Sequence, residues 1–162
     1  MAGHFPDRVR SLTLIETPLF GVAPEDPDVR ELIELSDLFF RDLAEGSGGR
    51  ASGEFLAMAA MDGAELAQER ERVERLARDL RRPLEAEPDY DAIVAAQIRV
   101  LVVSGEHDRR LERLCNLIAE RLRGGRARCP GAGHPAQRAP GFNGLLEDFL
   151  SSAERHATAT PE

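Results

Sequence analysis

The stretch that decides the fold is IRVLVVSGEHD, Ile98 to Asp108. Val100, Leu101, Val102 and Val103 follow one another without a polar interruption. A strand with one wet face alternates. A run that is apolar at every position suits a strand in a parallel sheet covered on both faces. Ser104 and Gly105 close the run, and Glu106, His107 and Asp108 put ionisable groups on the turn beyond it. In open parallel sheets ligand sites lie past the carboxyl ends of the strands, so this turn is the first place to look for chemistry.

Working outward, two weaker strands flank this one. VRSLTLIET, Val9 to Thr17, is rich in β-formers, lies between Pro6 and Pro18, and ends on Glu16. Its Leu12, Leu14 and Ile15 suit burial. RARCPG, Arg126 to Gly131, is a third strand closed by Pro130. Helical spacing fills the intervals. Asp28 is placed to cap a helix from Val29 to about Ala44, with Leu32, Leu35, Leu38 and Phe39 on its apolar stripe. A glycine-rich loop follows over 45–53, then an amphipathic helix from about Ala64 to Arg82, ended by Pro83. Further helices are expected over about 110–123 and 144–154, and a disordered tail after that. Strands alternating with helices make the fold α/β, with a short parallel sheet of about three strands flanked by helices.

The chain has 162 residues, enough for one domain with a real core. Its net charge of −8 argues against general nucleic-acid binding, which needs a basic surface. No run reaches the ~18 apolar residues of a membrane helix, and the start MAGHFPDRVR has no apolar core of a signal peptide. Cys115 and Cys129 have no metal or redox spacing and read as free thiols in a reducing compartment. The expectation is a cytoplasmic protein with no nucleic-acid or membrane partner.

The second chemical loop is GAGHPAQ, Gly131 to Gln137, leaving the third strand. It sets His134 at a strand end beside the turn that carries Asp108. A carboxylate and an imidazole at neighbouring strand ends can pair: the acid fixes the ring tautomer and stabilises the imidazolium that forms when the other nitrogen takes a proton. Each residue has a plainer role too. His134 could be a surface loop histidine, and Asp108 could cap the helix that follows it. Glu16, at the end of the first strand, is the second choice of acid. His107 is expected to be exposed. Cys129 is expected to be buried rather than nucleophilic, since a thiolate needs an activating site. Phe39, Phe40, Phe55, Met58 and Met61 suit core packing or an apolar pocket.

Three segments together resemble the α/β-hydrolase family. IRVLVVSGEHD is similar to the strand and turn that deliver the triad acid. PGAGHPAQRAPGFNGLLEDFL is similar to the turn and last helix that deliver the triad histidine. HFPDRVRSLTLIETPLFG, His4 to Gly21, is similar to the segment after the nucleophile helix. The resemblance implies a partial α/β-hydrolase fold: 1–20 a core strand segment, 21–92 a helical cap, 93–155 the C-terminal core with the acid and histidine loops, and 156–162 a tail. It implies Asp108 and His134 as catalytic acid and base, and no metal or organic cofactor. In some members the acid stands where Glu16 does.

The family's nucleophile sits in a G-x-S-x-G elbow ahead of the acid and the histidine. Neither Ser47 in EGSGG nor Ser104 in VSGEH fits that pattern. The resemblance would put the elbow before His4, so the chain is expected to begin after the nucleophile helix. The reading is therefore hydrolysis of an ester or related acyl bond, with a small apolar acyl substrate expected and this chain supplying acid and base. The alternatives are an inactive truncated hydrolase acting as an interaction module, and one half of a split enzyme. Either way the first strand would lack its inner neighbour, so self-association or a partner chain completing the sheet is expected.

Overall fold

The run Val100–Val103 is buried on both sides because helices cover both faces of its strand. In the computed structural model, which describes residues 2–45 and 88–159, three strands form one parallel sheet. They are β1 (Ser11–Ile15), β2 (Arg99–Ser104) and β3 (Gly125–Arg128), in the order β1-β2-β3. The helices are α1 (Pro27–Glu45), α2 (Tyr90–Ala95), α3 (Arg109–Arg121) and α4 (Phe142–Ala159). The expected α/β architecture, a short parallel sheet flanked by helices, is present.

Alternation along β2 sorts its side chains into two cores. Val100 and Val102 join Val29 and Leu32 of α1 and Leu114, Cys115 and Ile118 of α3 on one face. Leu101 and Val103 join Cys129, Ala136 and Phe142 on the other. Burying a valine or leucine of this kind contributes about 1.5–3 kcal/mol each, so the central strand anchors the sheet. α1 packs against α3; the described part of the 21–92 segment thus shares the core of the sheet rather than standing apart from it.

β3 is short and polar for a strand, and its arginines explain why it holds. Arg126 is largely buried along its stem, and its guanidinium reaches Ser104 Oγ at 2.7 Å and Glu112 Oε2 at 2.8 Å. Ser104, fully buried at the end of β2, therefore has a partner. Arg128 adds a 3.0 Å contact to the same Glu112 oxygen.

β1 pairs with β2 in the register Ser11↔Arg99 to Ile15↔Val103. Arg10 O accepts from Arg99 N and Glu16 N donates to Val103 O at 2.9 Å, so even-numbered residues bond toward β2. The backbone groups of Ser11, Thr13 and Ile15 point to the other edge by alternation. Among the described residues no strand pairs there, and all of β1 is only partly buried.

Several local expectations are corrected. Asp26, not Asp28, caps α1: Asp28 N donates to Asp26 Oδ1 at 3.1 Å, and Pro27 takes the first helical position, where its missing N–H costs nothing. Asp28 instead pairs with Arg109 of α3. Leu38 is exposed although it shares the spacing of buried Leu35 and Phe39. α4 runs on to Ala159, so residues 155–159 are helical where a disordered tail was expected. The short helix α2, with Asp89 accepting from Ala92 N at 2.8 Å as its cap, has too few residues for a periodic signal. The loop over 46–53, the helix over 64–82, and Phe55, Met58 and Met61 lie outside the described residues.

Candidate functional site

The ends of all three strands converge on one carboxylate. Glu16 follows β1 directly and turns back in the left-handed region at φ 43°. A side chain in that conformation costs about 1–2 kcal/mol, which the backbone bond to Val103 and the contacts of the carboxylate offset. Glu16 is 4% exposed. Its Oε1 accepts from Gly105 N at 2.6 Å, and its Oε2 lies 2.7 Å from His134 Nδ1.

The loop of His134 can come this close because two glycines meet. A Cβ on Gly105 would stand 1.8 Å from the carbonyl oxygen of Gly133. Only a hydrogen fits there, so the turn after β2 and the loop after β3 touch backbone to backbone. Gly133 itself has φ 65°, which turns the chain and presents His134 to Glu16. Ala136 N donates to His134 O at 2.8 Å and holds the far side of the loop. The imidazole remains 47% exposed on its side chain, and Nε2 has no hydrogen-bond partner among the described residues.

Asp108 is not the acid beside His134. Its carboxylate caps α3, accepting from Arg110 N at 2.8 Å and Leu111 N at 3.3 Å. It also takes the Arg110 guanidinium at 2.7 Å. Burial pushes the Asp108 carboxyl upward, but the Arg110 side chain and the two backbone N–H groups outweigh it and hold the group below its ordinary value. The physical reason is sequence order: an aspartate immediately before a helix finds unsatisfied N–H groups closer than any distant imidazole. Glu112, one turn into α3, is likewise held low. Burial there is outweighed by the Ser104 hydroxyl and by Arg128 and Arg126.

His107 was expected at the surface and is mostly covered instead, with 14% of its side chain exposed. Its Nδ1 lies 3.3 Å from Glu16 Oε1. His107 and His134 meet edge to face, with ring centroids 6.2 Å apart. Cys129 is buried, as expected. Cys115 is fully buried in α3, and burial pushes its thiol up to about 12. Neither cysteine is placed as a nucleophile. Phe39 is buried and packs edge-on against Phe40. A hollow of about 310 Å³ lies elsewhere, along β1, where Leu12, Leu14, Leu19, Tyr90 and Ile93 line it.

The arrangement can do acid–base chemistry. A buried carboxylate accepts from one ring nitrogen and leaves the other nitrogen available. Compared with protein-family models, with curated proteins and with solved structures, the chain matches none.

Proposed function

We propose that the chain carries the acid–base part of a serine-hydrolase type of site, acting on an ester or related acyl bond. His134 is the general base, Glu16 is the residue that positions it, and the serine comes from outside these 162 residues. The observation that carries the reading is the 2.7 Å contact between Glu16 Oε2 and His134 Nδ1. With Glu16 ionised, Nδ1 carries the ring proton and donates it to the carboxylate. Nε2 then has the lone pair that takes a proton from the nucleophile. The imidazolium so formed is stabilised by Glu16 and returns the proton to the leaving group. A water molecule is deprotonated in the same way in the second half of the reaction. Such general-base assistance is worth about 10²–10⁴ in rate. The half-exposed ring suits a substrate arriving from solvent, and a small apolar acyl group remains the expected class.

The test is labelling with a fluorophosphonate, which reacts with a serine activated by a base. The tagged chain is purified from its own cells with whatever accompanies it. The expected result is a labelled co-purifying serine, with labelling lost in the His134→Ala and Glu16→Gln complexes and kept in Asp108→Asn. Labelling that survives His134→Ala, or a complex with no label, overturns the reading.

One observation favours a second reading, an interaction module without turnover. The outward backbone groups of Ser11, Thr13 and Ile15 and the adjoining apolar hollow make β1 a place for another strand to add, from a second copy or a partner. In that case the tagged chain captures a partner, or itself, with no fluorophosphonate label.

A further inference from the structure

The acid–base reading uses one of the two imidazoles at Glu16 and leaves the other without a task. His107 stands on the turn out of β2, its Nδ1 3.3 Å from Glu16 Oε1. His134 stands on the loop out of β3, its Nδ1 2.7 Å from Glu16 Oε2. One carboxylate therefore has an imidazole at each oxygen. A ligand atom from each of the three residues can be chosen so that all lie within 4.8 Å of one another. Around a tetrahedral ion with bonds of roughly 2.1 Å, ligand atoms stand about 3.4 Å apart. Reaching that spacing asks for approaches of at most about 1.4 Å between ligand atoms.

Charge points the same way. The Glu16 side chain is 1% exposed, and its only ion-pair partners among the described residues are the two histidines. Nearby arginines of α3 and β3 are engaged elsewhere, Arg110 on Asp108 and Arg126 and Arg128 on Glu112. A buried carboxylate calls for a paired cation or a metal ion. Two neutral imidazoles and one carboxylate make a ligand set of net charge −1, which a divalent ion balances with one charge to spare for a bound water or anion. The Gly105 N–H on Oε1 orients the carboxylate from outside, as partners of metal ligands commonly do.

Two imidazoles with one carboxylate suit zinc, cobalt(II), nickel(II) or iron(II). Calcium and magnesium favour oxygen ligands. We propose that Glu16, His107 and His134 form a binding site for a divalent cation of this borderline class, entered from the exposed side of His134. Three protein ligands leave a fourth position to solvent or to an anion. The inference shares Glu16 and His134 with the acid–base reading but does not need it. If both hold, an ion bound through the Glu16 side of His134 takes the place of the proton there, and metal occupancy blocks the acid–base pair.

The experiment is cobalt(II) titration of the untagged full chain, followed by visible absorption, with zinc binding measured by equilibrium dialysis. One ion per chain is expected, with an intense low-coordination cobalt band that zinc abolishes. Glu16→Gln, His107→Gln and His134→Gln should each weaken binding by about 100-fold or more, while Asp108→Asn and Cys129→Ser leave it unchanged. Circular dichroism checks each variant for folding. Should Glu16→Gln fail to fold, His107→Gln carries the test, because His107 lies on a turn and has no part in the acid–base pair. Absence of binding at millimolar metal overturns the proposal. So does binding that is indifferent to the His107 and His134 substitutions. Neither outcome bears on the fluorophosphonate result, so the two readings fail separately.

Discussion

Two acids end neighbouring strands in this molecule, and they have opposite fates. Asp108 sits one step before a helix, meets two backbone N–H groups and an arginine, and is drawn into the frame of α3. Glu16 sits before an irregular turn, meets one backbone N–H and two imidazoles, and is not drawn into a helix cap. The difference teaches that position at a strand end does not make a carboxylate functional. What the next residues do with their N–H groups decides it. A helix starting at once consumes the acid, and a turn does not.

The largest expected effect breaks the meeting of the two loops. Gly105→Ala puts a methyl 1.8 Å from the Gly133 carbonyl oxygen, and the three nearest atoms all belong to the Gly133 backbone. The expected cost is at least about 1–3 kcal/mol, read as a lowered urea midpoint, together with loss of the Glu16–His134 contact. Gly131→Ala is the control: its φ of 76° makes an alanine strained, but nothing lies within 4 Å of the added Cβ. It should cost about 1–2 kcal/mol and leave the contact intact. Equal loss of the contact in both variants would remove the special role of Gly105.

Next comes exchange of the two acids. Asp108→Ala should lose about 0.5–2 kcal/mol, the usual cost of an N-cap, and leave the ring resonances of His134 in place. Glu16→Gln should move those resonances strongly. If Asp108→Ala moves them as far as Glu16→Gln does, the contrast between the two acids is wrong.

A smaller effect follows from pH. Asp108 and Glu112 are held below their ordinary values in the fold. Their unfolded values are about 3.9 and 4.3. A depressed folded value means a contribution that is complete above the unfolded value and lost as pH falls through the folded one. Stability should therefore be steady above about pH 5 on account of these groups and fall below about pH 4. Asp108→Asn, which caps without a charge, should flatten part of that acid limb. Urea midpoints between pH 7 and 3 check this, and an unchanged limb in the variant would separate Asp108 from acid sensitivity.

The smallest expected signal is a silence. Cys115, buried in α3 with its thiol pushed up to about 12, should resist a disulfide reagent at pH 8 until the chain is unfolded. Prompt labelling of Cys115 in the native chain would mean that α3 opens on the timescale of the assay.

How much of this was readable from residues varies with distance along the chain. The unbroken apolar run Val100–Val103 identified a strand covered on both faces, because that pattern is local. The convergence of GEHD and GAGHP at strand ends was readable too, since parallel strands with helical connections carry their exits to one edge. The partner of His134 stood only as the second choice, because 118 residues separate it from Glu16 and only the register of β1 on β2 closes that distance. His107 was placed at the surface for the same reason: it meets Glu16 and His134, neither of them near it in the chain. Helix α2 was missed because it is too short for a periodic signal, and the cap of α1 because Asp26 and Asp28 offer the same chemistry two positions apart.

Register itself carries a consequence for folding. β1 has five residues and is bound on one side among the described residues, so its alignment is the easiest part of the sheet to get wrong. A slip by one position would put Ile15 or Thr17 where Glu16 belongs and would turn Leu12 and Leu14 to the opposite face. Apolar side chains could partly adapt to such a slip. The carboxylate could not, since only one alignment lets it reach the Gly105 N–H and both imidazoles together. The triplet thus works as a vernier on strand alignment. In a mixed preparation, the fraction of molecules that holds Glu16 against His134 counts those whose first strand has docked true.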